Sequence, residues 1–243
     1  MKKLIFALAI LLPVAAWADS HESDVYIYAT YMYCDTSMEE AADATFDKYF
    51  RPEFDNSMKS GDFTGWGYLK HIAGGKWRRL IYRMGPGVVE VLNASKKQGD
   101  AVDKKLRPRD DNLGKACKSH DDYIWKSELG NVTEQRGKVG LSVYFVCDMN
   151  GESRADELVE KEFGPAYDAH LGPGKLSSWG WLSHVVGGKY RRLLTTSAES
   201  LEDLFAARAE LLGGFAGSSA GREFSSICGM HSDYIWEIAA EGR

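Results

Sequence analysis

The sequence predicts an α+β protein in which two β-α-β-β-α-β repeats pack sheet to sheet as one intrachain barrel. The first observation behind this is an internal repeat. Trp66-Gly67-Tyr68-Leu69-Lys70-His71-Ile72-Ala73-Gly74-Gly75-Lys76-Trp77-Arg78-Arg79-Leu80 returns 113 residues later as Trp179-Gly180-Trp181-Leu182-Ser183-His184-Val185-Val186-Gly187-Gly188-Lys189-Tyr190-Arg191-Arg192-Leu193. Cys34-Asp35 with Cys147-Asp148, and Phe50-Arg51-Pro52 with Phe163-Gly164-Pro165, keep that offset. Cys117-x-x-His120-x-Asp122-Tyr123-Ile124-Trp125 returns at offset 111 as Cys228-x-x-His231-x-Asp233-Tyr234-Ile235-Trp236. Ordered self-similarity of this kind marks a duplicated structural unit. The second observation is that the hydrophobic period switches between strand and helix in the same order in each copy. The third is composition: 243 residues, 44% hydrophobic and 27% charged, suffice for two small cores.

In chain order, residues 1–18 read as a secretory signal peptide: Met1-Lys2-Lys3, an apolar run from Leu4 to Ala16, and Ala16-Trp17-Ala18 as a small-x-small cleavage site. The run is shorter than the roughly 20 residues of a membrane span. Losing Lys2 and Lys3 takes the net charge from −5 to −7. The expected location is periplasmic or secreted. The first repeat occupies residues 19–129, a polar linker 130–138, and the second repeat 139–243. Val25 to Cys34 is a strand by its tyrosines and β-branched residues. Ser37 with Glu40 forms a capping box ahead of Phe46, Tyr49 and Phe50 at helical spacing. Gly65–Ile72 and Lys76–Arg83 form a hairpin about Gly74-Gly75. The second helix is clearest in copy two, where Leu201, Leu204, Phe205, Arg208, Leu211 and Leu212 share a face and Ser197 supplies the cap. Tyr123–Glu128 and Tyr234–Ile238 are the closing strands.

That order is ferredoxin-like: a four-stranded antiparallel sheet with both helices on one face. The other face of each sheet is bare, and two copies can cover each other. Over residues 24–129 and 139–240 the chain resembles the dimeric α/β-barrel superfamily in a tandem-fused form. The resemblance rests on element order, duplication and size. Its members include antibiotic-biosynthesis-type monooxygenases, haem-degrading enzymes, chlorite-dismutase relatives and stress-responsive proteins, so it implies fold more than function.

Four cysteines allow three pairings. In a ferredoxin-like sheet the first and fourth strands are neighbours, so the expected disulfides are Cys34–Cys117 and Cys147–Cys228. A redox or metal site built on Cys-x-x-His is the rival reading, but it lacks further zinc ligands.

Across the hairpins His71 falls opposite Arg78 and Lys70 opposite Arg79, with His184–Arg191 and Ser183–Arg192 in copy two. One sheet face is then aromatic and cationic: Trp66, Tyr68, Lys70, Trp77 and Arg79, with Trp179, Trp181, Tyr190 and Arg192. Placed inside the barrel, this face would bind a small aromatic or anionic ligand, with apolar walls for affinity and arginine forks for orientation. Placed elsewhere, it is ordinary core. His71 with His184, and His120 with His231, are the repeated candidates for a base or a haem or metal ligand; a backbone-bonded turn explains His120 and His231 equally well. Unrepeated His170, aligned with Ser57, reads as surface. Gly217-Ser218-Ser219-Ala220-Gly221 lacks the strand that a hydrolase elbow needs before it, and Gly172-Pro173-Gly174-Lys175 lacks phosphate-loop spacing. No metal set is identified and no cofactor is specified. A pI near 5.7 argues against nucleic acid as a partner. The expected function is small-molecule binding in a barrel cavity; the alternatives are a monooxygenase-like or haem-using enzyme, and a self-associating structural or stress protein.

Overall fold

The computed structural model describes residues 24–134 and 136–243, so the signal-peptide reading lies outside the described residues. The first half runs β1 (Tyr26–Tyr33), α1 (Glu39–Thr45), α2 (Arg51–Lys59), β2 (Gly65–Gly74), β3 (Arg79–Gly85), α3 (Val88–Asp103), α4 (Asn112–Ala116) and β4 (Ser119–Val132). The second runs β5 (Val139–Val146), α5 (Glu152–Leu158), α6 (Gly164–Ala169), β6 (Leu176–Val186), β7 (Arg192–Ala198), α7 (Leu201–Phe215), α8 (Ser219–Ile227) and β8 (Met230–Gly242). Among the described residues no helix is long and apolar enough to cross a membrane.

All eight strands form one closed antiparallel barrel, ordered β1-β3-β2-β8-β5-β7-β6-β4. Within each half the order is fourth, first, third, second, as the ferredoxin-like reading requires. The halves join by hydrogen bonds along two seams, β2–β8 and β4–β6. Strands β4 and β8 are 14 and 13 residues long, well beyond the short closing strands read from sequence. Long open edges are a liability that closure removes. Register shifts in both seams add the local twist that a barrel needs.

The hairpin register agrees with the sequence reading. Lys70 pairs with Arg79 and Ser183 with Arg192. The His71 and His184 amides donate to the Arg78 and Arg191 carbonyls at 3.0 and 3.1 Å. The first helix of each half widens into a π turn, Phe46–Phe50 and Val159–Phe163, at matching positions. Pro52 and Pro165 come two residues after these turns; neither can donate to the carbonyl four residues back, so the ladder loosens there.

Two caps differ from expectation. Asp35, not Ser37, caps the first helical turn, accepting from the Ser37 amide at 2.9 Å. Ser200, not Ser197, caps α7, accepting from the Asp203 amide at 3.1 Å; Ser197 lies in β7 opposite Gly140. The short helices α4 and α8 were not legible as helices. Ser218 caps α8 by accepting from the Gly221 amide at 2.9 Å, which gives the Gly217–Gly221 stretch a structural role. The disulfides are Cys34–Cys117 and Cys147–Cys228, as expected.

The face assignment is corrected. The stripe Trp66, Tyr68, Trp179, Trp181 faces the helices, not the barrel interior. Tyr68 stacks on Phe46 at 3.8 Å, Trp66 on Phe54 at 5.0 Å, and Trp179 on Tyr167 at 5.3 Å. Helix one of each half is itself aromatic on its sheet-facing side, so aromatic meets aromatic there. The leaner face, with Leu69, Leu80, Leu182 and Leu193, lines the interior.

Candidate functional site

The interior takes its aromatic rings from strands one and four of each half. Strand period two sends Tyr31, Tyr123 and Trp125, and their counterparts Tyr144, Tyr234 and Trp236, inward. Trp77 and Tyr190 fold in from the hairpin loops. Trp77 is sandwiched between Tyr31 at 4.3 Å and Tyr234 at 4.8 Å, and its indole donates to Asp121 at 2.8 Å. These rings plug one end of the barrel. A cavity of about 340 Å³ lies within, lined by Ile27, Leu69, Tyr82, Tyr144, Leu193 and Trp236 among others. That size lies in the small-molecule range of roughly 300–1,000 Å³. Arg136 and Arg243 also border it. Arg136 donates to the Tyr82 hydroxyl and stands 3.6 Å from Glu241.

Inside the barrel the repeat symmetry fails at a pair of rings. In the first half the Trp125 indole donates to the Tyr31 hydroxyl at 3.2 Å. In the second half the equivalent bond is missing: Trp236 Nε1 is buried without a hydrogen-bond partner, and the Tyr144 hydroxyl is turned toward Tyr31 and Ser142 instead of the indole. Both side chains are fully buried. Burial, and then the neighbouring Tyr31, push the Tyr144 phenol well above its ordinary value, so it stays protonated and can donate. An unsatisfied buried donor costs about 1–3 kcal/mol.

The nine ligand-binding candidates separate into two groups. Trp77 and Tyr190 lie inside the barrel. Trp66, Tyr68, Lys70, Arg79, Trp179, Trp181 and Arg192 lie between sheet and helices. Arg79 donates to both Asp43 oxygens at 2.7 and 3.0 Å, and Arg192 to both Asp156 oxygens at 2.7 Å. Tyr68 donates to Asp43 at 2.6 Å, and Lys70 stands 3.4 Å from it. The Trp179 indole bonds Asp168 and the Trp181 indole Asp156. These arginines therefore neutralise helix carboxylates and do not face a cavity. The partners missed from sequence are Glu39 and Asp43, with Glu152 and Asp156. Their signal was present: an acidic i, i+4 pair on helix one, repeated at the same offset.

Two expectations follow for these networks. Arg79→Met should cost about 3 kcal/mol in chemical unfolding, because it removes the bidentate guanidinium and leaves the largely buried Asp43 carboxylate with only the Tyr68 hydroxyl and the more distant Lys70. The double variant Arg79→Met with Asp43→Leu should recover most of that loss; equal instability of single and double variants would contradict the pairing. The second expectation concerns pH. Burial acts to raise Glu39, Asp43 and Glu152, but bonds from Arg78, Arg79 and Arg191 outweigh it and leave each carboxyl below its usual range. A depressed carboxylate stabilises the fold above its unfolded pKa, and that contribution is lost as pH falls through the folded value. Tm should hold level from pH 7 to 5 and fall below about pH 4. A Tm that rises on acidification would contradict this.

The histidines are committed locally. The Nδ1 atoms of His71 and His184 accept from Arg78 and Arg191 at 2.5 and 2.8 Å. Burial, and then these arginines, hold both rings below the ordinary histidine value, so they are neutral at pH 7. His120 and His231 lie 3.1 and 2.6 Å from Asp122 and Asp233, two residues on. His170 bonds the Ala166 carbonyl and Glu210. Among the described residues no group of three or more His, Cys, Asp or Glu is placed to hold a metal ion.

No protein-family model matches the sequence, and no curated protein matches it. Solved structures match it in fold. A protein named as a monooxygenase, from Lactobacillus acidophilus NCFM, aligns with TM-score 0.61 at 9% identity over 91% of this chain and 96% of its own. An anthrone oxidase-like protein aligns with TM-score 0.57 at 9% identity, over 91% and 94%. A mutant chlorite dismutase from Candidatus Nitrospira defluvii aligns with TM-score 0.59 at 9% identity, over 89% and 91%. These are monooxygenase-like and chlorite-dismutase-like barrels of the dimeric α/β-barrel type, and at such identities the likeness is one of fold.

Proposed function

We propose that this chain, a fused two-repeat barrel, is an oxygenase-type enzyme that takes a planar aromatic ketone or its enol into the barrel cavity. The observation that carries this reading is the buried, unpartnered Trp236 indole N–H, with the Tyr144 hydroxyl beside the same aromatic and aliphatic cavity and turned toward Tyr31 and Ser142. A ketone oxygen has two lone pairs and can accept from both. When a proton leaves the carbon activated by that carbonyl, charge moves onto the oxygen, and fixed donors in a dry site stabilise it. The enolate is then open to dioxygen. For anthrone, one O2 converts the CH2 to a carbonyl: the O–O bond breaks, one oxygen stays on carbon, and the other leaves as water with both hydrogens. The names of the fold neighbours, which include monooxygenases and an anthrone oxidase-like protein, favour this chemistry over simple storage. The two disulfides favour an oxidising compartment, periplasmic or extracellular.

The test is oxygen uptake with anthrone, followed together with anthraquinone formation. The expected result is one anthraquinone per O2, slowed roughly 100-fold by Tyr144→Phe and by Trp236→Phe, the scale for losing one oxyanion donor. Tyr31→Phe should change the rate by less than about threefold. Uptake no faster than buffer, or unchanged in both variants, would overturn the proposal. Anthrone binding without uptake would leave a binding cavity and remove the oxygenase.

A further inference from the structure

The second half holds a larger cavity, about 590 Å³, on the opposite side of the sheet from the barrel interior. It lies between β5, β6 and β7 below and α7 and α8 above. Val143, Phe145, Val159, Phe163, Trp181 and Phe224 are among its walls. Its origin is visible in the repeat. Val159 occupies the position of Phe46, and Trp181 that of Tyr68. In the first half Phe46 is fully buried, stacked on Tyr68 at 3.8 Å and close to Phe50, Phe54 and Trp66. Replacing that ring with valine removes the filler from the second half. Apolar surface is also left uncovered nearby, since Leu212 is 49% exposed on the helix that roofs the space.

The cavity lining holds two arginines and no Asp or Glu. Arg208, Arg222 and His231 border it. Asp233 is already held by Arg208 at 2.9 Å and by His231 at 2.6 Å. The Arg222 guanidinium donates to the Gly217 carbonyl, and among the described residues no carboxylate pairs with it. An apolar chamber with an exposed guanidinium at its mouth, paired to no carboxylate among the described residues, matches a molecule with a hydrocarbon body and a single anionic end.

We infer that this space is a second binding site, independent of the barrel cavity, for an amphipathic monocarboxylate of the fatty-acid class. The hydrocarbon lies against Val159, Phe163 and Trp181, and the carboxylate accepts from Arg222.

Isothermal titration of the full chain with laurate and with dodecanol tests this. Laurate should bind at least tenfold more tightly than dodecanol. Val159→Phe restores the first half's filler and should weaken laurate at least twentyfold, while anthrone binding in the barrel stays within twofold. Arg222→Gln should erase the preference for laurate and leave dodecanol unchanged; this arm stands even if Val159→Phe folds poorly, which its melting curve would show. Laurate binding that survives Val159→Phe, or equal affinity for acid and alcohol in the wild type, overturns the inference. Displacement of laurate by haemin, with a Soret shift lost in His231→Ala, overturns it in favour of a haem site. Because the barrel probe is scored separately, loss of anthrone binding alone overturns the function proposed above and leaves this site standing.

Discussion

Reducing both disulfides should unfold the protein at room temperature. The bridges close loops with sequence separations of 83 and 81 residues. The chain-entropy model assigns about 4–5 kcal/mol to each such closure. The loops do not overlap in sequence, so the contributions add to first order. Their combined size, about 8–10 kcal/mol, rivals the roughly 5–15 kcal/mol net stability of a typical domain. Far-ultraviolet circular dichroism after treatment with a phosphine reductant should show a cooperative loss of structure. Alkylation without reduction should label no cysteine. Four labelled thiols in the untreated protein, or a reduced protein melting within a few degrees of the oxidised one, would contradict the stapling role. Cys34→Ser with Cys117→Ser removes one bridge and should show about half the effect.

Trp77→Ala should have the next largest effect. Trp77 is 3% exposed, lies between the Tyr31 and Tyr234 rings, and donates to Asp121. Truncating a buried tryptophan costs about 3–5 kcal/mol. Here it also leaves the Asp121 carboxylate without its indole donor and removes the plug at the hairpin end. The variant should therefore unfold at lower urea, and its barrel should admit solvent from both ends, read as faster quenching of the interior tryptophans by acrylamide. Trp77→Phe keeps the stack and loses the hydrogen bond, so it should recover more than half of the stability. A Trp77→Ala protein as stable as the wild type would show that the ring is a lid and carries no core energy.

Much of the architecture was legible because it follows from local pattern. The offset repeats specify two equivalent units, period-two runs specify strands, and strand order within a ferredoxin-like unit brings Cys34 to Cys117. The site was far less legible. Both faces of the hairpin strands carry apolar residues, so alternation alone could not say which one points inward. What decided it was the partner surface: Phe46 and Phe54 offer rings to Tyr68 and Trp66, and Asp43 offers a carboxylate to Arg79. The tyrosines and tryptophans of β4 and β8 looked like ordinary closing strands, yet they supply the barrel lining.

The internal repeat, the element order, the hairpin register and the disulfide pairing follow from the residues alone, because each depends on neighbours close in the chain or on positions within one unit. That the two sheets join edge to edge through β2–β8 and β4–β6 emerges only in the folded chain. Those edges satisfy backbone groups that no single unit can pair alone. The same holds for the Tyr31–Trp125 hydrogen bond, which Tyr144 and Trp236 do not repeat. Aligned sequences carry identical residues at both places. Whether a hydroxyl meets an indole depends on a few tenths of an ångström in packing, and that is set by every side chain around it.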